Sequence, residues 1–181
     1  MSRINVVEQH TASPQQTELF KAIQNQLGIV PNFLKVFANS PAALNGFLGL
    51  FTIAGNGTLD PQTRERIALT LAQKNSCQYC LSAHTKLGQN AGLSDEEITA
   101  NRAGTSKDAK AALAVSFAQS LIEHKGEVTN DEIQALRNAG YSESDIVEII
   151  THTGMNFLTN LVGKVSRVKI DFPTVELQSV A

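Results

Sequence analysis

Three times in the first third of the chain a capping residue stands directly before a proline: "SPQQ" from Ser13, "SPAA" from Ser40 and "DPQT" from Asp60. A serine or aspartate side chain accepts the free N–H groups of a first helical turn. Proline suits the first helical position, where its missing N–H has no bond to lose. Each pair therefore opens a helix. Ser94 with Glu97, and Thr129 with Glu132, add two capping-box spacings. Gly28, Gly92, Gly104, Gly126 and Gly140 follow apolar-periodic stretches, as helix-stopping glycines do.

Between these marks the apolar period is helical. In "KDAKAALAVSFAQSLIEHK", Leu113, Phe117 and Leu121 recur every four residues on one face. No segment alternates apolar and polar residues for long enough to read as a strand. The expected fold is all-α, a compact helical domain of about eight or nine helices joined by short loops. No linker or low-complexity stretch divides the chain, so residues 1–181 read as one domain with 1–13 as an N-terminal arm. "NAGLSDEEI" (90–98) and "NAGYSESDI" (138–146) share a stop, a serine cap and an isoleucine, a weak echo of two helix-turn-helix units.

Charge and hydropathy exclude several partners. Fifteen basic against seventeen acidic residues leave a net charge of −2, with no basic block to hold nucleic acid. No apolar run reaches the ~18 residues of a membrane span, and "MSRINVVEQHTASPQQ" lacks the apolar core of a signal peptide. The expected address is the cytosol, where thiols are kept reduced. In that setting a lone CxxC is more often catalytic or metal-binding than a structural disulfide.

The two cysteines of the chain, Cys77 and Cys80, fall together in "NSCQYCLSAH" with His84 four residues beyond the second. On a helix capped near Ser76, Cys77, Cys80 and His84 share one face. Cys77 would then lie in the first turn, where free N–H groups and the helix dipole favour a thiolate. That is the form which attacks a peroxide or a disulfide sulfur. The preceding segment "DPQTRERIALTLAQK" puts Glu65 on the face of Ala68, Leu69 and Ala72. A carboxylate on an apolar stripe is costly unless paired or hydrogen-bonded. Residues 60–92 thus read as two redox-motif helices. Three other readings stay open: a zinc site with Glu65 as fourth ligand, a pair of inert buried thiols, and Glu65 as an ordinary salt-bridge partner.

Glu65, eleven residues, Cys77, two residues, Cys80, three residues and His84 resemble the E-x11-CxxC-x3-H pattern of the alkylhydroperoxidase D-like branch of the carboxymuconolactone decarboxylase family. The flanks "GIVPNFLKVFANSP" and "NFLTNLVGKVSRVKIDFP" are similar to its peroxidase-related members. The resemblance implies an all-α oxidoreductase, a trimer or hexamer, that reduces hydroperoxides with a dithiol or protein reductant. By position it implies Cys80 as peroxidatic thiol and Cys77 as the resolving thiol that closes a disulfide, with Glu65 and His84 as the proton relay. One position departs from the pattern: Tyr79 stands where the best-characterised members have histidine, and tyrosine is a poor base near neutral pH. A relay rewired through water, weak peroxidase activity or a structural Tyr79 would each follow. A decarboxylase-type lyase of the same fold needs no cysteine pair. A non-enzymatic redox sensor would use the same disulfide once rather than in turnover. If Cys77 is the more exposed sulfur, it is the one an external reductant attacks.

His152, Asn156 and Asn160 form a polar row among Ile149, Phe157 and Leu161. The row reads as a hydrogen-bonded core or subunit contact, with His152, Asn156 and Tyr79 as candidates to line the thiol pocket. His10 and His124 read as surface residues, and Phe33, Phe37, Phe47 and Phe51 as core or interface. No glycine-rich phosphate loop occurs, so no nucleotide cofactor is expected.

Overall fold

Ser13, Ser40 and Asp60 each accept the backbone N–H three residues on, and a helix begins at the proline that follows. The computed structural model describes residues 2–178, which form nine α-helices and one 3-10 turn, with no strand among the described residues. The helices are α1 (Pro14–Leu27), α2 (Asn32–Phe37), α3 (Pro41–Gly55), α4 (Pro61–Lys74) and α5 (Gln78–Asn90). They continue as α6 (Asp95–Arg102), α7 (Ala109–Glu123), α8 (Asn130–Asn138) and α9 (Glu143–Ser166). Gly28 closes α1 at φ 75°, a left-handed conformation that a Cβ would oppose. The echoed segments are the α5–α6 and α8–α9 turns.

The Thr129–Glu132 capping box forms in full. The Ser94–Glu97 box forms only by half: Ser94 accepts the Glu97 N–H, but the Glu97 carboxylate does not turn back. It points into the interior, where it accepts hydrogen bonds from Arg66 Nε (2.8 Å), Asn101 Nδ2 (2.9 Å), Ser106 Oγ (2.5 Å) and the Lys107 N–H (2.9 Å). A buried cation outbids a backbone N–H that water can also reach.

Helix α4 is the centre of the molecule, packed against α5, α6, α7 and α9. Ile67, Leu69, Leu71 and Ala72 are buried in it, together with the polar Arg66, Thr70 and Gln73. Each of these three has a partner: Arg66 has Glu97, Thr70 Oγ1 donates to the Asn101 carbonyl (2.7 Å), and Gln73 Oε1 accepts Arg102 Nε (3.1 Å). Helix α6 is thereby tied to α4 by polar contacts rather than by area alone.

Apolar side chains gather in three clusters. Leu59, Ile67, Phe117 and Leu136 join α4, α7 and α8, with Leu113 and Leu121 at the edge. Phe20, Ile23, Phe37 and Phe47 join α1, α2 and α3 to Met155 of α9. The third cluster holds Cys77 and Cys80 among Leu69, Leu81 and Val168. Segments near both ends pack on this last region, Ile4 and Val6 from one side and Val175 and Leu177 from the other. Arg3 N–H donates to the Ser166 carbonyl (2.7 Å), and residues 168–178 run over α5, where the Val175 N–H donates to Ser82 Oγ (3.0 Å). No helix among the described residues is long and apolar enough to cross a membrane.

Candidate active site

The turn between α4 and α5 brings the sequence motif together. Ser76 takes a left-handed conformation (φ 54°), and Cys77, not Ser76, is the N-cap of α5. The cap expected at Ser76 is displaced by one residue because the Cys77 sulfur itself accepts the Cys80 N–H (3.4 Å). Cys77 and Cys80 are joined in a disulfide, their Cα atoms 5.3 Å apart. A cap and its third helical residue lie close enough for such a bond without disturbing the helix beyond them.

Helices α4 and α5 form a hairpin, which sets Glu65 beside His84. His84 Nδ1 lies 2.8 Å from Glu65 Oε2, and both side chains are about four-fifths buried (19% exposed each). The carboxylate fixes which ring nitrogen carries the proton and leaves Nε2 without a partner among the described residues. His84 and Cys80 line the same cavity of about 220 Å³. Its wall is mostly apolar, built from Phe33, Phe47, Phe51, Leu87, Met155 and Phe172, with Gln26, Asn156 and Thr159 as polar exceptions beside Tyr79 and His84. The phenylalanines expected as core or interface thus divide: Phe37 packs inside, while Phe33, Phe47 and Phe51 also face this space.

Tyr79 borders the cavity but is held by other groups. Its hydroxyl donates to Asp171 Oδ2 (2.7 Å) and accepts the Phe33 N–H (3.4 Å), while the same Asp171 oxygen accepts the Asn32 N–H (2.7 Å). Burial, then the hydrogen bond to Asp171 and its negative charge, push the phenol well above its usual range. A group so reluctant to ionise is a lock between α5, α2 and the C-terminal segment, not a base. Tyr79→Phe should therefore lower stability by about 1–3 kcal/mol in urea unfolding and leave the rate of thiol oxidation unchanged. A large rate loss with unchanged stability would assign it a place in proton transfer.

The polar row on α9 is buried throughout, but its members differ. Asn156 lines the cavity and donates to the His152 carbonyl (2.8 Å). His152, expected as a pocket candidate, does not reach the cavity; it turns toward α3 and α4. Burial and the Arg64 charge lower its pKa against the Ala54 carbonyl and the Glu148 and Glu65 carboxylates. Asn160 Oδ1 accepts Asn75 Nδ2 (2.9 Å), so the third member pins the turn that precedes Cys77.

Gly163 escaped the sequence reading. It lies on α9 directly behind the disulfide, and a Cβ there would come within 2.8 Å of Cys77 Sγ and 3.5 Å of Cys80 Sγ. The available signal was a glycine inside a long helical pattern, which can mark a close approach, but Gly154 in the same helix gives it too with nothing within 4 Å. Which element approaches is not visible in one dimension.

The structure is thus an all-helical domain with a disulfide at a helix N-terminus, beside a carboxylate–imidazole pair and an apolar cavity. Residues 41–120, from α3 into α7, match the carboxymuconolactone decarboxylase family. An uncharacterized peroxidase-related protein from Silicibacter sp. TM1040 is similar over 93% of this chain and 94% of its own, at 25% identity and a TM-score of 0.79. The alkylhydroperoxidase AhpD core protein from Ralstonia eutropha JMP134, also peroxidase-related and uncharacterized, is similar over 94% and 92%, at 20% identity and a TM-score of 0.84. A variant of the debrominase Bmp8 bound to 2,3,4-tribromopyrrole shares the fold over 94% of both chains, at 19% identity and a TM-score of 0.78. No curated protein matches the chain. The chain thus shares the all-helical fold of these proteins over nearly its whole length, and its residues 41–120 carry the carboxymuconolactone decarboxylase match.

Proposed function

We propose that the protein is a thiol-dependent peroxidase that reduces hydroperoxides through Cys77 and Cys80. The observation that carries this reading is the placement of Cys80, bonded to Cys77, in the wall of an apolar cavity that it shares with His84. In the reduced enzyme, Cys80 gives up its proton to His84, whose ring is held by Glu65. The thiolate attacks the outer oxygen of the peroxide, the O–O bond breaks, and the alcohol leaves with a proton returned from the imidazole. Cys77 then attacks the sulfenic acid on Cys80, water leaves, and the disulfide closes. An apolar wall suits an organic hydroperoxide better than hydrogen peroxide. A cytosolic address accords with a dithiol that must be re-reduced after each turn.

A steady-state assay with several organic hydroperoxides and a dithiol donor tests the reading. Donor-dependent turnover is expected, with none for Cys80→Ser, and peroxide-treated reduced protein should lose the mass of two hydrogens. A single stoichiometric oxidation without turnover would make the disulfide a sensor, and free thiols after peroxide treatment would overturn the proposal. A second reading has one observation behind it. The aromatic wall of Phe33, Phe47, Phe51 and Phe172 also suits a planar halogenated ring, the kind of molecule held by the debrominase. Halide release from a halogenated pyrrole, without peroxide consumption, would favour it. Lyase chemistry would leave the bonded cysteines without a role.

Self-association belongs to the same proposal. Helix α3 has no charged residue and buries only Leu44, Phe47 and Ala54, leaving Leu50, Phe51 and Ile53 exposed. Val147, Ile150, Phe157, Leu158, Leu161 and Val165 are exposed on α9. Among the described residues nine large apolar side chains thus stand exposed on these two helices, the kind of surface that marks a contact with another protein. A trimer or hexamer is expected, and light scattering at micromolar concentration should report it; a monomer would count against it.

A further inference from the structure

The two sulfurs of the disulfide are not equally reachable. Cys77 is 1% exposed and Cys80 4%, and it is Cys80, not Cys77, that stands in the cavity wall. Cys77 Sγ is closed off from the α9 side by Gly163, so near that not even a methyl group fits between them. It packs in the same cluster as Leu69 and Val168. The condition under which Cys77 would meet an external reductant, that it be the more exposed sulfur, is therefore not met. The cap geometry adds a chemical asymmetry. The Cys80 N–H points at Cys77 Sγ (3.4 Å), a hydrogen bond worth more to a thiolate than to a bonded sulfur, so Cys77 is the better leaving group.

We propose that the disulfide is re-reduced through the cavity by a small uncharged thiol that attacks Cys80 Sγ, with Cys77 as the leaving thiolate. The proposal rests on the reading that this pair cycles between dithiol and disulfide. The donor S–H gives its proton to His84 in the same wall. Its sulfur then forms a bond to Cys80 Sγ while the Cys77–Cys80 bond breaks, and the electron pair leaves on Cys77 Sγ. A second thiol of the donor attacks the donor sulfur of the mixed disulfide and releases Cys80 as thiolate. Two thiols become one donor disulfide, and two electrons with two protons pass to the protein.

The cavity decides the class of donor. A new S–S bond requires approach to ~2.05 Å, and the surface cysteine of a folded reductase does not come that near a residue only 4% exposed in the wall of a cavity of about 220 Å³. Among the described residues no Lys, Arg, Asp or Glu lines the wall, so a charged donor such as glutathione would shed its hydration there with only His84 to meet its charges. Oxidant and reductant therefore meet the same sulfur, and Cys77 never leaves the interior.

Trapping the mixed disulfide tests this. Oxidised protein is mixed with limiting 2-mercaptoethanol, quenched in acid within seconds, unfolded and treated with N-ethylmaleimide at low pH. Tandem mass spectrometry then reads the tryptic peptide 75–86. Mercaptoethanol on Cys80 and maleimide on Cys77 are expected; the reverse arrangement overturns the proposal. In a parallel arm, dithiothreitol should reduce the native disulfide faster than reduced thioredoxin at equal dithiol concentration, by roughly tenfold or more. Thioredoxin as the faster donor, or no reduction by either, also overturns it. Peroxide consumption is measured separately. A Cys80 adduct without peroxide turnover keeps this proposal and removes the peroxidase reading, while turnover with an adduct on Cys77 does the opposite.

Discussion

Glu65→Gln should slow the peroxide-dependent oxidation of Cys80 by roughly 10²–10⁴-fold at neutral pH, the usual contribution of a positioned base. The fold should survive, since Gln is nearly isosteric with Glu and its amide can still meet His84 across the 2.8 Å contact. What is lost is the negative charge that holds the imidazole in one tautomer and stabilises it when it takes the thiol proton. The deficit should shrink as pH rises through the ordinary thiol range near ~8.5, where solvent removes the proton without the relay. His84→Gln should behave in the same way. The double variant should lose far less than the product of the two single losses, because carboxylate and imidazole act as one unit. Stopped-flow oxidation of the reduced protein across pH 6–10 reads all of this. A Glu65→Gln protein with an unchanged rate at every pH would reduce the pair to a hydrogen bond that joins α4 to α5.

The largest loss of stability is expected far from the sulfurs, at Glu97. Its carboxylate is buried against Arg66, and each side chain is about one-tenth exposed or less (8% and 10%). Glu97→Gln leaves the Arg66 cation in the interior without its counter-charge, which should cost about 3–5 kcal/mol at pH 7 in urea unfolding. The pH dependence has a definite sign. Burial pushes the Glu97 pKa up, but the hydrogen bonds from Ser106, Asn101, Arg66 and the Lys107 N–H outweigh it and hold the pKa down at about 2, against 4.5 unperturbed. A group depressed on folding contributes stability that is complete above the unfolded value and is lost as pH falls through the folded one. Here that window runs from about 4.5 down to about 2, with a contribution on the order of 3 kcal/mol. The gap between wild type and Glu97→Gln should therefore narrow as pH drops from 5 to 2. A gap below about 1 kcal/mol at pH 7 would mean that a neutral amide oxygen at this position accepts the Arg66 hydrogen bond as well as the carboxylate does.

What the sequence determined by itself about this protein was what acts within one turn of backbone. Ser13, Ser40 and Asp60 cap the helices they were expected to cap, because a cap needs only a side-chain oxygen and an N–H three residues away. The shared face of Cys80 and His84 was legible for the same reason, whereas Cys77 became the cap before α5 and stands apart from the cavity they line. The union of that face with Glu65 was legible too, since a short turn folds adjacent helices against each other.

Tertiary structure decided everything that depends on which distant segment lies alongside. The Ser94–Glu97 box was half wrong because Arg66, thirty-one residues away, offered the carboxylate a buried charge. Tyr79 became a lock only through Asp171, ninety-two residues on. The inequality of the two sulfurs came from Gly163 on α9, whose missing side chain lets one backbone come against Cys77 while the cavity opens beside Cys80. A local pattern records which groups need a partner. Which partner arrives, and which sulfur it covers, is set by the close packing of elements that the chain brings together only when it folds.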